Sequence, residues 1–117
     1  MNLNDLVASV LSGDLLRARQ WVADARRNNV NWEAIAFPEE MDQRSLTVTA
    51  ALLELFAHRS GGNPPPWTTH VGAMGDLTVI DPGLETMRRS FAYAKEHGPV
   101  ALLKRNLIAL PDFLDVA

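Results

Sequence analysis

The run Ser60-Gly61-Gly62-Asn63-Pro64-Pro65-Pro66 constrains this chain more than any other feature. Two glycines end whatever helix precedes them, and three consecutive prolines remove backbone donors and impose extended backbone. No helix crosses that point. Regular structure resumes at Asp81-Pro82, where Asp supplies a cap and Pro suits the first helical position. Between these points Trp67 to Ile80 is apolar without helical spacing, and Met74, Leu77, Val79 and Ile80 fit a short strand or an ordered loop on the core. The chain thus divides into N-terminal helices over 1–60, an irregular crossing over 61–82 and C-terminal helices over 83–117.

Upstream of the break the spacing is helical. Leu3, Leu6, Val7, Val10 and Leu11 share one face, with Asn2 or Asn4 as cap and Ser12-Gly13 as stop. Asp14 caps a second helix to about Arg27, whose stripe is Leu15, Ala18, Val22 and Ala25, with Trp21 on its flank. So short a turn makes the two a hairpin. Asn31 fits the start of a one- or two-turn helix, Trp32 to Ala36, closed by Pro38. A third long helix is predicted from Gln43 to about His58, capped by Asp42 and apolar around so much of its circumference that it belongs at the centre of a bundle. Downstream, Leu84, Met87, Phe91 and Ala94 predict a fourth helix ending at His97-Gly98-Pro99. Val100 to Arg105 is a short fifth helix or turn, and Pro111 opens a last amphipathic turn through Phe113, Leu114 and Val116. The expectation is one all-α domain over 1–117, a bundle of four to six helices around a shared core.

With 117 residues the chain has room for a single core, and an apolar share of 47% is ample to fill it. The absence of cysteine removes disulfides, thiol catalysis and cysteine-ligated metals, and fits a reducing compartment. A formal charge of −3 disfavours a protein that holds nucleic acid through its phosphates. The N-terminus carries no basic region ahead of an apolar run, and the uncharged apolar stretch Ser45 to Leu53 is too short for a membrane span. No membrane role is expected, and the expected location is cytoplasmic.

Chemistry-bearing residues do not assemble into a known pattern. His58, His70 and His97 lie far apart, without metal-ligand spacing, so a three-histidine, metal-dependent hydrolase is a distant alternative. Glu39-Glu40 and the Asp112/Asp115 pair read as solvated caps, because catalytic carboxylates need a burying cleft. No phosphate loop or nucleophile turn is present. Three basic doublets, Arg26-Arg27, Arg88-Arg89 and Lys104-Arg105, are what a small nucleic-acid-binding transcriptional regulator would use, and acids lie near each. The expectation is therefore no enzyme, no cofactor and no metal. Pro64-Pro65-Pro66-Trp67 is either a connection whose Trp67 plugs the bundle or a rigid aromatic ledge for a partner, tryptophan being enriched at interface hot spots.

The segments Ala57-His58-Arg59, Pro66-Trp67-Thr68, Pro99 to Ile108 and Asp112 to Ala117 resemble a group of small, largely uncharacterised bacterial proteins with a His-Arg … Pro-x-Trp-Thr … Arg-Asn layout. The resemblance covers roughly residues 50–117, with Leu102 where the pattern often has an aromatic. Members are often encoded beside nucleotidyltransferase-like or other toxin-type genes. The resemblance implies an antitoxin-like protein that binds and neutralises a partner, with Arg59, Trp67 and Arg105 at motif positions. Arg105 at a helix end can bond terminal carbonyls or a buried carboxylate. Trp32 joins these three as an exposed-looking aromatic, and a homodimer through the apolar face of the third helix is compatible with the same reading.

Overall fold

The computed structural model describes residues 2–116. Five α-helices carry the fold: α1 (Leu3–Leu11), α2 (Leu15–Arg27), α3 (Gln43–Arg59), α4 (Arg88–His97) and α5 (Val100–Leu103). Short 3₁₀ turns lie at Trp32–Ala34, Pro66–His70 and Leu84–Thr86, and two two-residue strands, β1 (Thr78–Val79) and β2 (Leu107–Ile108), complete it. The class is all-α, as the spacing predicts. A radius of gyration of 13.3 Å matches the roughly 13.4 Å of a compact chain of this length, so the crossing lies against the body.

The first three helices begin where short polar side chains can accept an orphan backbone N–H. Asn2 accepts from Asn4, Asp14 from Arg17 and Asp42 from Ser45. Gly13, at φ 80°, makes the left-handed turn that folds α2 back on α1. Helix α3 is buried continuously from Thr47 to Ala57. Its β-branched start stays helical because tertiary packing outweighs the small intrinsic cost of Thr47, Val48 and Thr49. Helices α1 and α5 and the turns at Trp32 and Pro66 pack around it. The apolar face expected to serve a homodimer is therefore covered within the chain, a correction with a plain cause: the helix is the core.

One hydrophobic cluster joins Leu6, Val10, Val22, Leu52 and Phe56 from before the break with Leu102, Leu107, Phe113 and Leu114 from beyond it. Two local expectations change. The helix expected at Asp81-Pro82 is a 3₁₀ turn followed by α4 from Arg88, and Met87 is exposed. Asp81 caps a different element, its carboxylate accepting from the Leu110 backbone N–H at 3.1 Å. Of the two readings of Met74 to Ile80, strand or ordered loop, the structure shows both: a two-residue strand at Thr78–Val79 pairs in parallel with Leu107–Ile108, and the rest of the segment is loop. Bonds from the Met74, Thr78 and Ile80 amides to the Arg105, Asn106 and Ile108 carbonyls lay this crossing segment along the chain after α5. No described helix is long and apolar enough to cross a membrane.

Candidate functional site

Helix α3 carries one charged side chain between Arg44 and His58, and that is Glu54. It faces inward, 8% exposed, where an unpaired carboxylate costs several kcal/mol. The chain after α5 supplies the compensation. Arg105, 3% exposed, grips the carboxylate with both terminal nitrogens, Nη2 to Oε2 at 3.2 Å, and donates from Nη2 to the Thr68 carbonyl at 2.7 Å. Lys104 reaches Oε1 from the solvent side at 2.7 Å. Burial raises the Glu54 pKa, but the hydrogen bonds from Arg105 and Lys104 outweigh it and hold the carboxyl below its ordinary range. The Glu54–Arg105 pair thus ties α3, the Pro66–His70 turn and the chain between α5 and β2 together. The buried Arg105 Nε has no hydrogen-bond partner.

The other residues singled out by sequence take structural positions. Trp32 is 6% exposed, with its ring 5.6 Å from Phe56 and 6.3 Å from Trp21 and its indole N–H donating to the Ser60 hydroxyl at 3.3 Å. Trp67 is half-buried and donates to the Ile35 carbonyl at 2.9 Å, while Phe37 stands edge-on against it at 5.4 Å. The expected exposure of these two aromatics is corrected. Each indole has an apolar body that fills core space and an N–H that finds a carbonyl or hydroxyl at its rim. Trp67 plugs the bundle. Arg59 donates to the carbonyls of Phe113 at 2.7 Å and Pro111 at 3.0 Å, tying the last turn to α3. Burial lowers its pKa, with Asp115 and Asp112 acting in the opposite direction. Trp32 and Arg59 line one cleft of about 680 Å³ with Arg26 and Ser60; Trp67 and Arg105 lie elsewhere. The four do not form one site.

Two of the three basic doublets are engaged, while Arg88 and Arg89 are exposed at the start of α4. Arg26 donates to the Val116 carbonyl, Arg27 pairs with Asp24 at 3.3 Å, and Lys104 and Arg105 share Glu54. His58, His70 and His97 are exposed and separate, His97 lying against Tyr93 at 4.6 Å. Among the described residues, no three His, Asp or Glu side chains gather as metal ligands.

An open groove of about 890 Å³ lies between the end of α3, the proline run and α5. Pro64, Pro99, Val100, Ala101 and Pro111 form its apolar wall, and His58, Arg59, Lys104 and Glu54 line it as well. Val100 is 77% exposed, at the first position of α5. Neither the groove nor Glu54 is announced by a motif. The signal available for Glu54 is its isolation as an acid within an apolar helix that lacks a partner of its own. Set beside known families, curated proteins and solved structures, the chain matches none.

Proposed function

We propose that the protein is a non-catalytic protein-binding module, antitoxin-like, whose partner is a toxin-type protein encoded nearby. The observation that carries the reading is the groove between α3, the proline run and α5. Its walls are prolines and an exposed valine on short, bonded segments, a surface that binds without first having to order itself. Two of the ionisable groups around it are engaged in holding the fold, Glu54 with Arg105 and Lys104, and Arg59 with two carbonyls. A general acid or base works best with a pKa near the working pH, whereas Glu54 is pushed the other way. The resemblance over residues 50–117 supplies the kind of partner, and the cysteine-free composition agrees with a cytoplasmic setting.

Co-expression with the product of the adjacent gene tests the proposal. A stoichiometric complex on size exclusion, with growth restored where that product alone is toxic, is the expected result. Separate elution of the two proteins with no effect on growth overturns it.

A further inference from the structure

We infer that the groove along α5 recognises an acidic, apolar segment of a partner protein, with apolar side chains against Val100 and Pro99 and a carboxylate at Lys104. The inference rests on the proposed binding role and names the partner's chemistry. Its basis is local charge. Glu54 is the one acidic residue lining either the groove or an adjoining pocket of about 320 Å³, among the described residues, and it is shared by two cations. Lys104 and Thr69 line both cavities, and Arg105 lines the smaller one. One unit of positive charge is thus left over where the two meet. Arg59 adds little to it, because two carbonyls occupy its donors and Asp112 and Asp115 lie close by.

The surplus is placed to be used. Lys104 is about half exposed, its ammonium has donors beyond the one spent on Glu54, and His58 stands exposed on the same groove. A net charge of −3 over the whole chain makes a cationic spot beside an apolar wall a local exception, and complementary charge selects a partner more than it adds affinity.

The test uses a short fluorescein-labelled peptide of alternating glutamate and leucine, its lysine-leucine counterpart, and inorganic phosphate, each titrated into the isotope-labelled protein. The acidic peptide is expected to shift the amides of Val100, Lys104 and His58 and to weaken between about 50 and 300 mM NaCl. Lys104→Met should weaken it about tenfold, the share of one charge-assisted hydrogen bond. Val100→Glu, at a position exposed enough to leave the fold intact, should abolish it. Equal binding of both peptides, no shift at these amides, or the same shifts from phosphate alone at similar concentration overturns the inference. A toxin-type partner that still coelutes with Val100→Glu leaves the binding module standing and overturns the groove. Peptide binding without any coeluting partner supports the groove and overturns the proposed function.

Discussion

Arg105 and Glu54, fifty-one residues apart, form a bidentate ion pair inside the bundle. The pair spans the proline-rich break, so it reports whether the two sides of the chain fold as one unit. Removing Glu54 leaves the Arg105 guanidinium buried without a counter-ion. Glu54→Gln is expected to cost about 3–5 kcal/mol, whereas Glu54→Met combined with Arg105→Met recovers much of the loss, because well-packed apolar groups can replace a buried ion pair. Urea unfolding of the single and double variants measures both. Additive losses contradict the coupling.

The same carboxylate sets a pH dependence. Its folded pKa lies below the ordinary glutamate value of about 4.3, so the folded state binds that proton less readily than the unfolded chain does. Its stabilisation is complete above that value and is lost as the pH falls through the depressed folded pKa. Thermal midpoints recorded from pH 7 down to pH 3 should fall more steeply for the native chain than for the Glu54→Met, Arg105→Met variant. Parallel curves contradict the assignment.

Much of this architecture is legible in the sequence where local chemistry decides it. Asn2, Asp14 and Asp42 cap as their side chains dictate, and Gly13 turns the first hairpin. The parallel pairing of Thr78–Val79 with Leu107–Ile108 is not legible, since two residues carry no period and their partners lie across the chain. Asp81-Pro82 misleads because a cap signal states what a carboxylate can bond, and here the Leu110 amide wins. Trp32 and Trp67 mislead for a related reason: tryptophan suits both interfaces and core rims, and only the position of an acceptor such as Ile35 or Ser60 separates the two. Arg105 is readable as a helix-end arginine able to meet a buried carboxylate, while the identity of that carboxylate depends on tertiary contact.

Gly98 ends α4 at a point where backbone closes on backbone. A Cβ there would sit 2.6 Å from the Ala94 carbonyl oxygen and 2.7 Å from that of Ala109. Neither neighbour is a flexible side-chain end, so α4 and the segment after β2 must separate to admit it. Gly98→Ala is expected to cost about 3 kcal/mol by overpacking. Gly72→Ala, with nothing within 4 Å of the added atom, is expected to be near neutral. Chemical denaturation of the two variants side by side checks the contrast.

Arg59 holds the final turn in a conformation that the turn would not choose alone. Leu114 is fully buried with φ at 55°, a left-handed geometry that costs a side-chain-bearing residue about 1–2 kcal/mol. The guanidinium bonds the Phe113 and Pro111 carbonyls on the preceding residues, while Phe113 and Leu114 anchor the turn in the core. Arg59→Ala removes the fork and leaves the strain. Amides from 112 to 115 should then exchange with solvent about tenfold faster or more, while α1 and α2 keep their protection. Arg59→Lys should rescue little, because a single ammonium on a flexible stem cannot reproduce the rigid two-point bond. Unchanged exchange in Arg59→Ala shows instead that the packing of Phe113 and Leu114 holds the turn without the arginine.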